Sequence, residues 1–169
     1  MSQIRSPGGT VRPPTPTPRT TPRLSPTPRS VRSFGDCASL VLVTDPARRR
    51  AVTQAAQSAG WRVVACQSPD ETAAQVQQWR LQFAIVELAA GDLPQRSALR
   101  QSVQQLREAS SPLLIVADQA PTHEDELWAR QIGAWLYLPA MTVGEELTQL
   151  CREALYSVRR QATAQAPVG

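Results

Sequence analysis

The side chains able to do chemistry stand at the ends of short apolar runs. Asp45 follows SLVLVT, and Glu87 is the penultimate residue of FAIVEL. The chain contains no lysine, which leaves arginine as its only strong cation. His123, the one histidine, opens the acidic stretch HEDE and reads as a surface residue rather than a general base. Cys37, Cys66 and Cys151 are odd in number and far apart, so they suggest neither a disulfide framework nor a zinc site, and they point to a reducing compartment. Cys66 reads as core. Cys151 falls on the last helix with no basic partner nearby in sequence. No G-x-G-x-x-G, P-loop or nucleophile-elbow motif is present, so a nucleotide-dependent enzyme or a hydrolase has no positive support and no catalytic residue is assigned.

The elements that must position these residues alternate regularly. SLVLVT (Ser39 to Thr44) is continuous and β-branched, as a strand covered on both faces would be. Pro46 starts a helix through Ala59, and Gly60 ends it. WRVVACQ is the second strand, and Ser68 with Glu71 forms a capping box for a helix to about Trp79. Phe83 to Leu88 is the third strand, and Leu99, Val103 and Leu106 stripe a third helix. Leu113 to Ala117 is the fourth strand, a helix near Glu124 to Ile132 follows, and Ala134 to Leu138 is the fifth. Thr142 and Glu145 offer a capping box for the last helix, whose apolar face carries Leu147, Leu150, Ala154 and Val158. Five strand–helix pairs with short connections predict an α/β, flavodoxin-like, doubly wound parallel sheet of five strands with helices on both sides. The ligand crevice of such a sheet lies at the carboxyl ends of its strands, here Thr44, Asp45, Leu88, Ala117, Asp118, Pro139 and Ala140.

Charge is distributed unevenly. Residues 1–35 hold six arginines and no acids, whereas residues 36–160 hold twelve arginines against fourteen acids. The 1–35 segment, rich in Pro, Thr and Arg, has too few large apolar residues to repay ordering and reads as a disordered basic tail with polyproline II character. It serves as a spacer, as a set of Thr-Pro and Ser-Pro phosphorylation sites, or as an arm for nucleic acid or another anionic surface. Its Arg-, Ser- and Thr-rich start also resembles a transit peptide, although its prolines oppose an amphipathic helix. Residues 36–160 form the folded domain and 161–169 a flexible C-terminus. No apolar run is long enough to span a bilayer, and the reading is a soluble cytoplasmic protein. Arg48, Arg49 and Arg50 crowd a helix start, where cations oppose the helix dipole. They read as a solvated face unless an anionic or acidic partner relieves the conflict.

GAWLYLPAM with Glu145 and Glu146, together with FAIVEL and TDPARRR, resembles the receiver domains of two-component response regulators, the CheY-like superfamily, over roughly residues 38–158. That family shows G-A-x-x-Y-L-x-K-P before an acidic helix start, an aspartate phosphorylated at the end of strand 3, an acidic pair that holds magnesium after strand 1, and a Thr or Ser after strand 4. The resemblance puts Asp45, beside Thr44 or Val43, at the acidic pair and Glu87 at the phosphoacceptor. It puts Ala117 at the hydroxyl position and Ala140 at the lysine, with Met141 in place of the following proline. These losses compound, because phosphoryl transfer needs metal and cation clamps on the developing charge. Glu87 then either imitates a phosphorylated aspartate or is a solvated glutamate of a disused site.

The resemblance also implies an output surface. Tyr137 matches the aromatic that changes rotamer on phosphorylation, Trp135 is read on the same face of the strand, and Trp128 lies on the fourth helix. An apolar patch of Trp128, Trp135 and Tyr137 would meet another signalling protein or a second copy. The alternative for these aromatics is ordinary core packing. The reading as a whole is a degenerate pseudo-receiver of two-component-type signalling. It is not an enzyme, has no cofactor and acts by protein–protein interaction. The alternatives are an atypical response regulator still in phosphorelay through Glu87 or Asp45, in which case magnesium would be needed, and a nucleic-acid adaptor acting through residues 1–35.

Overall fold

The structure, a computed structural model, describes residues 37–90 and 93–164. Five strands and five helices alternate along it: β1 Ala38–Leu42, α1 Pro46–Ser58, β2 Arg62–Cys66, α2 Pro69–Gln78, β3 Phe83–Leu88, α3 Leu93–Ser110, β4 Leu113–Asp118, α4 His123–Gln131, β5 Leu136–Pro139 and α5 Glu145–Ala164. All neighbouring strands are parallel, in the order β2-β1-β3-β4-β5. The chain therefore winds first to one side of β1 and then to the other. That reversal opens a crevice between the carboxyl ends of β1 and β3.

Alternate strand residues face opposite sides of the sheet and build two cores. Leu40, Leu42, Ala84, Val86, Leu114 and Val116 pack beneath α2, α3 and α4 with Val76, Leu99, Val103, Leu106 and Ala129. Val41, Val43, Phe83, Ile85, Ile115 and Ala117 pack beneath α1 and α5 with Val52, Ala56, Leu147, Cys151 and Leu155. Trp61 ties this second core together: its ring stacks on Phe83 at 4.9 Å between centroids, and its indole N–H donates to the Cys151 carbonyl at 2.8 Å. Cys151 is buried here and Cys66 in the first core, and neither forms a disulfide. Burial pushes both thiols up, Cys151 to about 12.

Local chemistry sets the ends of the helices. Asp45 caps α1 by accepting from the Arg48 N–H at 2.7 Å, Pro46 occupies the first turn, and Gly60 (φ +97°) reverses the chain after α1. Ser68 caps α2 as its spacing predicts, while the Glu71 carboxylate reaches one residue further back, to Gln67 N. Gly133 (φ +74°) ends α4 in the same way as Gly60. The start of α5 differs from expectation. It lies at Glu145, with Gly144 O accepting from both the N–H and the hydroxyl of Thr148, so Thr142 lies outside the first turn. α5 also runs to Ala164, four residues into the segment read as a flexible C-terminus. The basic tail 1–35 and residues 165–169 lie outside the described residues. No described helix is long and apolar enough to cross a membrane.

Candidate functional site

Glu87, the penultimate residue of β3, lies on the α1/α5 side of the sheet and is buried, at 1% exposure. Its carboxylate is fully engaged. Arg48 donates from Nε to Oε1 at 2.8 Å, with Nη2 in ion-pair contact with the same oxygen at 2.5 Å, and Gln119 Nε2 donates to Oε2 at 2.9 Å. Arg48 Nη2 also donates to the Met141 carbonyl at 3.1 Å, so one guanidinium spans the crevice from the end of β3 to the loop after β5. Its hydrogen bond to Glu87 raises the Arg48 pKa further against the opposing effect of burial. The reading of Arg48 and Arg49 as a solvated face is corrected. Arg49 Nη1 donates to the Val43 and Thr44 carbonyls at 2.9 and 3.1 Å, so internal acceptors relieve the conflict with the helix dipole. Arg50 is the exposed member, and its bond to Pro46 O stays within its own helix.

The other pocket positions fall around this pair. Asp45 is exposed and spends a carboxylate oxygen on its own helix cap. Ala117 is wholly buried and presents only a methyl group. Ala140 is exposed, adopts the left-handed region (φ +51°), and donates its N–H to Asp118 O at 2.8 Å. Glu87 as a solvated loop residue is also corrected, because it is a strand residue sealed beneath Arg48.

A second polar network, not assembled by the sequence reading, lies on the opposite side of the sheet. Asp118, at the end of β4, accepts from Arg96 Nη2 at 2.8 Å, from the Tyr137 hydroxyl at 3.0 Å and from Ala120 N at 2.9 Å. Arg96 also binds Asp125 and donates to Ala89 O, and Asp125 in turn takes Arg100 and the Thr122 hydroxyl. Arg96, Asp118 and Asp125 are all buried. Burial opposes the Asp125 charge, but Thr122, Arg100 and Arg96 outweigh it and hold the pKa below the ordinary carboxylate range. Burial, then the neighbouring Asp118 carboxylate, pushes the Tyr137 phenol far up. The T-x-x-D spacing of Thr122 and Asp125 was legible as a helix cap. Nothing in the sequence placed Arg96 on Asp118.

The three aromatic residues do not form one patch. Trp128 is half-buried against the α2/α3/α4 core, with the Arg100 guanidinium over its ring at 5.3 Å. Tyr137 packs on that same side, whereas Trp135 packs with the α1/α5 core. The expectation that Trp135 and Tyr137 share a face fails because Trp135 precedes β5, where the alternation of a regular strand does not yet hold. Both do border an edge groove of about 570 Å³ between α4 and β5, with Pro121, Thr122, Glu126 and Arg130. His123 is exposed on its rim.

The fold is that of response-regulator receiver domains. A CheY-like receiver domain protein from Methanospirillum hungatei superposes with a TM-score of 0.62 at 17% identity, over 75% of this chain and 98% of that one. A Burkholderia pseudomallei response regulator, whose structure holds a phosphorylated aspartic acid, a calcium ion and citrate, gives 0.59 at 17% identity, over 79% and 76%. An orphan response regulator of H. pylori gives 0.58 at 15% identity, over 74% and 98%. No family model matches the sequence, and no curated protein matches it.

Proposed function

We propose that this receiver-fold domain is a pseudo-receiver, which signals by binding other proteins and does not accept a phosphoryl group. The observation that carries this reading is the Arg48–Glu87 pair. In a working receiver the crevice holds an ionised aspartate, a divalent ion and a lysine. Here a guanidinium from α1 neutralises Glu87, the carboxylate that the resemblance puts at the phosphoacceptor. The residues present do not suit a divalent ion: both oxygens of Glu87 already accept from cationic or amide donors, Asp45 is committed to a helix cap, and Arg48 would repel the ion. Attack by Glu87 on a phosphoryl donor would also break this pair inside a sealed pocket, with no lysine or hydroxyl to stabilise the product.

Glu87 therefore holds the site closed with Arg48 and is not free for exchange with an anionic ligand. Tyr137 is tied to Asp118 instead of the hydroxyl missing at Ala117, so the α4–β5 region is held in one arrangement and offers a fixed binding surface. Incubating the full chain with acetyl phosphate and magnesium tests this. Intact-mass spectrometry should show no acid-labile phosphoryl adduct, and an adduct mapped to Glu87 or Asp45 would refute the proposal.

A further inference from the structure

We infer that α5 pairs antiparallel with α5 of a second copy of this chain. Its buried face is occupied by the core, but its outer face carries a self-complementary arrangement. Tyr156 stands out at 64% exposure, an uncommon position for an aromatic ring on a surface helix. About two turns N-terminal on the same helix lies an open, mostly apolar hollow of about 480 Å³ lined by Glu145, Glu146, Gln149 and Leu150. Exposed acids thus rim the hollow, and exposed Arg159 and Arg160 flank the ring.

A two-fold axis crossing α5 near Arg152 brings these features together. With the helices antiparallel, the partner's Tyr156 comes level with Gln149 and enters the hollow. The partner's Arg159 and Arg160 come level with Glu145 and Glu146. The symmetry then repeats every contact on the other side, as an isologous dimer requires. A parallel pair would instead oppose acid to acid and base to base.

Within one chain these groups are engaged only at the exposed surface, where ion pairs contribute little. Arg152 Nη1 donates directly to Glu145 at 3.0 Å and to Gln149 Oε1 at 3.4 Å, and Arg160 lies 5.7 Å from the Tyr156 ring. The helix dipole explains acids in the first turn, but Arg159 and Arg160 precede the last turn, where that effect has faded, and it explains neither the exposed ring nor the hollow. The inference does not depend on the Glu87 pocket being silent.

Sedimentation equilibrium of the full chain tests it. Dimers should form at low salt, and raising the salt well above physiological strength should weaken them several-fold by screening. Tyr156→Ala, at an exposed position, should raise the dimer Kd by at least about tenfold. The pair Glu145→Arg with Glu146→Arg and the pair Arg159→Glu with Arg160→Glu should each be monomeric alone, and an equimolar mixture of the two should regain association. A chain that stays monomeric at low salt, a Kd unmoved by Tyr156→Ala, or charge variants that fail to rescue each other would each overturn the antiparallel α5 dimer.

Discussion

Arg48, on the first turn of α1, donates through Nε to Glu87 at the end of β3 at 2.8 Å, so the carboxylate at the phosphoacceptor position already carries a cation from its own chain. The guanidinium offsets the cost of burying Glu87 and links α1, β3 and the β5–α5 loop.

Removing one partner of this pair should therefore cost more than removing both. Arg48→Ala takes the cation and part of the cover from Glu87 and should destabilise the domain by about 2 kcal/mol, less than a fully buried pair would cost, because the Arg48 side chain is about one-third exposed. Adding Glu87→Leu should recover part of that loss. Urea unfolding of the single and double variants measures the coupling.

The network on the other face should make stability depend on acid. Asp125 is held below its ordinary pKa, so its contribution is fully present above the unfolded value of about 3.9 and is lost as pH falls through the folded value. Asp125→Asn should flatten that stretch of the stability–pH curve. It should also cost about 3 kcal/mol at neutral pH, because Arg96 and Arg100 lose their shared carboxylate.

Tyr137 should keep its proton at about pH 10, where a free phenol is half ionised. The ultraviolet change on raising the pH to that value should be the same in wild type and Tyr137→Phe. The substitution should cost about 1 kcal/mol for the lost bond to Asp118.

Of the three cysteines, Cys66 and Cys151 should resist a thiol reagent in the native protein, because both are buried and both thiols are shifted up. All three should react after unfolding. Counting modified thiols by mass under native and denaturing conditions checks this.

Much of the fold was legible because its signals are local. Short β-branched runs, the caps at Asp45 and Ser68, and the glycines at 60 and 133 each act within a few residues, and their order allows little besides a doubly wound sheet. That Asp45, Glu87, Ala117 and Ala140 lie at or just past the carboxyl ends of strands was legible for the same reason, whereas their roles in a pocket rested on the resemblance. What each pocket residue touches was not legible. Arg48 is separated from Glu87, and Arg96 from Asp118, by most of a strand–helix unit or more, and the side-chain reach of an arginine leaves no mark in sequence spacing. The placement of Trp135 was misread because strand alternation was extended one residue before β5 begins.

The central claim is that Arg48 and Glu87 close this crevice to phosphoryl chemistry. Its most direct test is an NMR titration of the full chain with beryllofluoride and magnesium, following the resonances of Asp45, Glu87 and Tyr137. The account predicts no saturable shift at any of the three. A saturable, magnesium-dependent shift centred on Glu87 and propagating to Tyr137 would contradict it.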